Sequence, residues 1–210
     1  MLRAYCELAR SYERRTQPYQ SWRRSLVDSL PLTNGDTVLD VACGTGLCLP
    51  MLRDRVGPEG AVVGIDESPH MLAVARERVT ANGWGNVTLI ESTVERAAIP
   101  VTADAALFCA AHDVLRSPRA LERVFGRLRG GAWVAAGGGK WGPPWMVGLN
   151  MMVFATHRPY VRDFEGFDQP WSRLERYVDG FRLRDLTSGY FALGRVPGCP
   201  AEPGAGPQPR

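Results

Sequence analysis

Alternating strand and helix signals predict an α/β fold, a mainly parallel sheet covered by helices on both faces. Three observations carry that prediction. Short β-branched runs recur between helical segments. A glycine-rich turn follows the first run, and an aspartate ends the second. Two late apolar runs flank Ser188-Gly189, as in an antiparallel hairpin.

The elements follow in order. Residues 3–30 read as helical, with Leu8, Tyr12 and Tyr19 among charges and Trp22, Leu26 and Leu30 at helical spacing, so 1–30 forms a helical cap. The turn Thr33-Asn34-Gly35-Asp36 leads into a buried strand, Thr37–Val41. Leu47–Val56 is the next helix, closed by Gly57-Pro58. Ala61–Asp66 is the second strand. Ser68 caps a helix opened by Pro69 and running to about Asn82. Val87–Glu91 and Ala105–Cys109 are the third and fourth strands. Ser117-Pro118 opens a helix to about Leu128 that Gly130-Gly131 ends, before a fifth strand at Trp133–Ala136. The alternation then breaks. Residues 141–171 are rich in aromatics and read as an insertion with a helix near Met146–Thr156. Phe181–Thr187 and Tyr190–Val196 form the hairpin, and the Pro/Gly-rich stretch 197–210 reads as a disordered tail. Residues 1–196 therefore form a single domain.

Composition narrows the function. The chain has 210 residues, 45% hydrophobic and 22% charged, enough to bury one core without staples. A net charge of +3, with arginines spread among acids, announces no polyanionic partner. Five cysteines without a CxxC pair argue against a disulfide framework and against a zinc site, so no metal is expected. Charges throughout the first 15 residues exclude a signal peptide, and the longest apolar stretch, about 13 residues, is too short to span a bilayer. A cytoplasmic location is the expectation.

The strongest motif is Asp40-Val41-Ala42-Cys43-Gly44-Thr45-Gly46, at a strand-to-helix junction. Its glycines let backbone amides approach a ligand where a side chain would clash. Such a ligand lies outside the carboxyl ends of parallel strands. Asp66 ends the second strand, where a carboxylate can accept both hydroxyls of a ribose. A nicotinamide-dinucleotide domain needs a third glycine where Leu49 stands. Asp40 would also repel a pyrophosphate.

The runs VLDVACGTG, GIDESPHMLAVAR and NVTLIES resemble the class I S-adenosylmethionine (SAM)-dependent methyltransferases of the methyltransferase domain 11/25 type. These include quinone-biosynthesis C-methyltransferases and bacterial phosphatidylethanolamine N-methyltransferases. The resemblance covers roughly residues 10–196. It implies a Rossmann-like, seven-stranded, mostly parallel sheet ending in an antiparallel hairpin, and SAM as cofactor. It implies that Asp40, Ala42, Gly44 and Gly46 cradle the methionine part and that Asp66 holds the ribose. Glu67 and Met71 would lie near the adenine, Ser92, Thr93 and Val94 at its edge, and Cys109 and Ala110 on the floor. Tyr12 lies on the segment that in this family closes over SAM. Two departures stand out. Ala42 replaces a common glycine, and Thr93 replaces an aspartate that reads the adenine amino group.

Methyl transfer needs the acceptor held in line with the sulfonium, and a base only when a proton must leave. In this family the catalytic spot is the loop after the fourth strand, here Ala110-Ala111-His112-Asp113-Val114. His112 is the candidate base, and Asp113 would orient it or bind an amine. No Asn/Asp-Pro-Pro-Tyr run or RNA-stacking motif is present, which disfavours a nucleic acid acceptor. Lys140, Trp141, Trp145 and Tyr160 are the candidate substrate contacts, in a segment 141–171 read as a lid. The expected partner is a small or medium, largely apolar acceptor: a lipid, a quinone-like ring or a secondary metabolite. An apolar stripe of Trp145, Met146, Leu149, Met152 and Val153, with Asn150 turned partly away, also suits peripheral contact with a membrane. Two rivals remain at this stage: a SAM-fold cyclase-like enzyme that transfers no methyl group, and a non-catalytic SAM-binding module.

Overall fold

A computed structural model describes residues 12–198. The start of the helical cap and the tail from 199 lie outside the described residues. Residues 12–16 are helical. A 3-10 turn, Gln17–Tyr19, then precedes α1, Gln20–Ser29. The single helix expected over 3–30 is therefore interrupted, and Pro18 is the reason: it has no N–H to give to the preceding turn.

Seven strands form one sheet in the order β3-β2-β1-β4-β5-β7-β6. They are β1 Thr37–Val41, β2 Ala61–Asp66, β3 Val87–Glu91, β4 Ala103–Cys109, β5 Leu128–Gly139, β6 Asp179–Asp185 and β7 Gly189–Arg195. β1 to β5 pair in parallel, while β7 runs antiparallel to both β5 and β6. The helices are α2 Leu49–Val56, α3 Pro69–Ala81, α4 His112–Arg116, α5 Pro118–Phe125 and α6 Val147–His157. Ser68 and Ser117 cap α3 and α5 by accepting the amides of Met71 and Ala120.

Residues 38–41 of β1 are all buried, so its apolar side chains divide between two cores. Val38, Val62, Leu107 and Ala135 pack with α1 and α2 on one face. Leu39, Val63, Phe108 and Val134 pack with α5 on the other. A third, smaller cluster of Val153, Val161 and Phe167, with Trp141, Leu149 and Phe164 against it, belongs to the insertion. Strand order reverses between β1 and β4, which opens a crevice at their carboxyl ends.

Three expectations change. β5 runs straight through Gly130-Gly131, and α5 stops earlier, at Phe125. Gly131 adopts φ +83 and its carbonyl accepts the Arg195 guanidinium, so this pair belongs to the strand's edge rather than to a helix end. The hairpin turn also shifts: Gly189 is already paired, with Gly139. Last, α4 was not expected, because five residues are too short to show a helical period.

Candidate active site

Two cavities meet at the crevice. The smaller, of about 160 Å³, is walled by Ala42, Asp66, Glu67, Thr93, Val94 and Ala110, among others. The larger, of about 430 Å³, lies beyond it, between the N-terminal segment, the ends of β4 and β5, α6 and the hairpin turn. Ala110, Ala111, His112 and Tyr160 line both.

The glycine loop is built for a ligand. Gly44 and Gly46 adopt φ +56 and +76. A Cβ on Gly44 would meet nothing within 4 Å, whereas one on Gly46 would strike Leu49. Gly46 is therefore required by packing as well as by its turn, and Gly44 by its backbone and its open face. Asp66 ties the loop down: its carboxylate accepts the amides of Gly44 (2.8 Å) and Ser68 (2.9 Å). Burial raises its pKa, and those two amides oppose the rise.

Asp40 sits beneath the loop, 1% exposed, and its Oδ2 has no hydrogen-bond partner. Burial, with the Asp66 charge adding, pushes its pKa up to about 7. Thr45 Oγ1 is likewise buried and unpartnered. Buried polar atoms are nearly always satisfied, so orphans beside an open glycine loop mark where a polar ligand completes the site. An ammonium-bearing ligand supplies the donor that Asp40 lacks, and the residues present fit SAM on this ground.

The remaining cofactor candidates divide between residues that line the two cavities and residues that support their walls. Glu67 is exposed and paired with Arg162 at 2.8 Å. Thr93 and Val94 lie on the wall. Met71 lends its amide to the Ser68 cap, and Ser92 donates to the Thr93 carbonyl, so both support the wall rather than line it. Cys109 ends β4 next to Ala110, which has φ +56. Tyr12 lines the larger cavity and meets Tyr160 edge to face at 5.0 Å. Burial pushes its hydroxyl up to about 12, so it stays protonated.

His112 is 6% exposed, with both ring nitrogens buried and unpartnered. Burial lowers its pKa, and Asp113 partly offsets that. Asp113 holds the insertion: its carboxylate accepts the Arg162 backbone amide at 3.1 Å. Of the four substrate candidates, Tyr160 lines these two cavities and the other three do not. Lys140 pairs with Asp185 on the hairpin at 2.9 Å. Trp141 packs on Phe164 and Phe167. Trp145 is 81% exposed. Asn150 turns inward: Oδ1 accepts the Gly142 amide at 2.8 Å, and Nδ2 reaches the carbonyls of Gly142 and Pro143.

Arg23 was not singled out in the sequence, and His157 read there as a surface or helix-cap residue, yet both line the larger cavity. Arg23 is 5% exposed and donates to the Thr16 carbonyl and to Gln20 Oε1. Each carried a readable signal. Arg23 lies four residues before Val27, and His157 four after Val153, on faces that pack inward.

The comparisons agree with this geometry. A family described as a methyltransferase domain matches residues 38–131. Demethylmenaquinone methyltransferase of Shouchella clausii (strain KSM-K16) is 40% identical over 74 residues, which is 35% of this chain and 32% of that protein. The match thus spans about a third of that relative's length. Aklanonic acid methyltransferase DauC of Streptomyces sp. (strain C5) is 31% identical over 185 residues, 79% of this chain and 84% of the relative. Among solved structures, a SAM-dependent methyltransferase from Aquifex aeolicus superposes with a TM-score of 0.56 at 24% identity, covering 83% of this chain and 89% of that one. Haemonchus contortus phosphoethanolamine N-methyltransferase 2, in complex with SAM, gives 0.67 at 13% identity, covering 84% and 52%. Similarity along most of the length of DauC, together with the strand order and the glycine loop, places the chain in the class I SAM-dependent methyltransferases.

Proposed function

We propose that the protein transfers a methyl group from SAM to a small or medium, largely apolar acceptor, quinone-like, lipid or secondary metabolite in class. The observation that carries this reading is the 430 Å³ aromatic-walled cavity, which shares Ala110, Ala111, His112 and Tyr160 with the cofactor-side cavity. An acceptor there would lie beside the residues that would hold the cofactor. Two relatives named for demethylmenaquinone and aklanonic acid support an acceptor of that size and character.

When bound, SAM supplies an electrophilic methyl group on a sulfonium. Asp40 and the Gly44–Gly46 loop hold its amino acid part, and Asp66 its ribose. Glu67, Thr93 and Val94 border the base. Arg23, a buried cation without a carboxylate partner among the described residues, lines the larger cavity and suits an anionic group of the acceptor there. Tyr12 and Tyr160 close over the junction of the two cavities and exclude water. Residues 141–171 act as a lid, latched by Arg162 to Glu67 and Asp113 and by Arg116 to Asp163 and Glu165.

Incubating the protein with SAM and a panel of hydroxylated naphthoquinones, anthraquinones and lipid amines tests the reading. S-adenosylhomocysteine (SAH) release that depends on one acceptor class is expected. Tight SAH binding with no transfer to any member would favour the cyclase-like rival.

A further inference from the structure

The larger cavity contains an imidazole whose protonation pattern the fold dictates. His157 ends α6, and its Nδ1 lies 2.9 Å from the Val153 carbonyl, one turn back. A carbonyl oxygen only accepts, so Nδ1 carries the proton in the neutral ring. Nε2 is then left with a bare lone pair, and it has no hydrogen-bond partner among the described residues. The tip of the ring occupies the space over Gly139, where a Cβ would fall on Nε2. Phe167 holds the opposite side, edge to face at 5.2 Å. The ring is thus held at the wall of the cavity in one tautomer, its Nε2 against Gly139 and without a hydrogen bond among the described residues.

The rest of that wall restricts what can meet this nitrogen. Among the described residues it has no carboxylate. Its one permanent charge is the Arg23 guanidinium, and its other polar groups are hydroxyls, the His112 imidazole, the Trp22 indole and backbone. A cationic amine would find no counter-charge and would face a guanidinium. A neutral, weakly acidic hydroxyl finds an aromatic box, a proton acceptor and a nearby cation that favours the anion it becomes. Burial lowers the His157 pKa, which keeps the ring neutral and receptive near pH 7.

We infer that His157 Nε2 receives the acidic proton of the acceptor, and that the acceptor is a planar phenol, enol or hydroxyquinone rather than an amine. This rests on the methyltransferase reading and names the substrate class for it. In the step, the acceptor O–H bond breaks and its electron pair stays on oxygen. The proton forms a bond to Nε2, giving an imidazolium whose Nδ1–H still donates to Val153. That imidazolium later returns the proton to water.

The test is made on the SAH-loaded protein. Long-range proton–nitrogen NMR is expected to show one of the three histidines as the Nδ1–H tautomer, and that signal should vanish in His157→Phe. The binding probes are 4-methoxyphenol and 1-naphthol, neutral at pH 7, against their methyl ethers. One hydrogen bond corresponds to a preference of roughly fivefold for the hydroxyl compounds. His157→Phe should abolish that preference, and so should Gly139→Ala, which displaces the ring without changing it. SAH affinity, measured by calorimetry, reports whether each variant has folded. An Nε2–H tautomer at His157 overturns the inference, and so do ethers that bind as well as the hydroxyl compounds or hydroxyl probes that leave the Nε2 signal unmoved. Loss of SAH binding by the wild-type protein would instead overturn the methyltransferase reading.

Discussion

Ala42 holds φ +58 in the loop that faces the cofactor, a conformation that costs a non-glycine residue about 1–2 kcal/mol. Ala42→Gly should relieve that strain and return part of it as unfolded-chain entropy. A net gain of roughly 0.5 kcal/mol in urea unfolding, with SAH affinity retained, is expected. A loss of stability would mean that the methyl group packs usefully. Asp66→Ala removes the carboxylate proposed to hold the ribose and releases the amides of Gly44 and Ser68. SAH binding should weaken by about 2 kcal/mol, roughly 30-fold. Unchanged calorimetric affinity would take Asp66 out of the site. Asp40 gives a pH signature. Its folded pKa of about 7 lies above the ordinary 3.8. Between those values the native state holds a proton that the unfolded chain has released, so the ligand-free protein loses stability as pH rises from about 4 towards 7. A bound ammonium group favours the carboxylate and expels that proton. SAH affinity should therefore climb from about pH 6 to about pH 8, and Asp40→Asn should flatten the climb. Binding that is independent of pH in the wild type would contradict the assignment.

At the scale of elements, the lid role proposed for the insertion predicts faster exchange in its loop beyond His157 than in the sheet. The insertion has its own small cluster around Phe167 and is tied to the domain by exposed ion pairs. Such pairs are individually worth under about 1 kcal/mol and are screened by salt. Raised salt, or Arg162→Ala, should speed amide exchange in 158–167 while leaving β1–β5 protected. Equal protection in both conditions would make the insertion a rigid part of the core. Helix α6 is apolar on its outer side as well, with Val147, Met151, Met152 and Phe154 all exposed. That face extends beyond the one-sided stripe read from the sequence. Asn150 interrupts the apolar run for a structural reason, since it clamps the strand-exit loop at Gly142 and Pro143.

For the molecule as a whole, ligand binding and folding are linked. SAH at about 100 times its dissociation constant should add about 2.7 kcal/mol, which raises the melting temperature by roughly 5–10 °C for a domain of this size. A scan without that rise would show that the folded state does not bind SAH. No helix among the described residues is long and apolar enough to cross a membrane.

Much of this was legible in one dimension. The strands, the Ser68 cap, the glycine loop, Asp40 and Asp66 depend on neighbours within a few residues, or on a period that a single sequence displays. Pro18, Gly130-Gly131 and α4 show the limit of that local reading. A proline broke a helix whose spacing looked continuous, and a diglycine stayed in a strand, where the Gly131 amide donates to the Val196 carbonyl and its carbonyl accepts the Arg195 guanidinium. Which residues wall the larger cavity was decided only by the tertiary fold. Lys140 and Trp141, adjacent in sequence to the crevice, were claimed by Asp185 and by Phe164 and Phe167. Arg23 and His157, which are 134 residues apart by their numbers, became walls of one cavity. The physical reason is that backbone conformation and cofactor loops are set by short-range sterics and hydrogen bonds. Which side chain faces a cavity is set by packing between elements distant in the chain, and that packing exists only once the chain has folded.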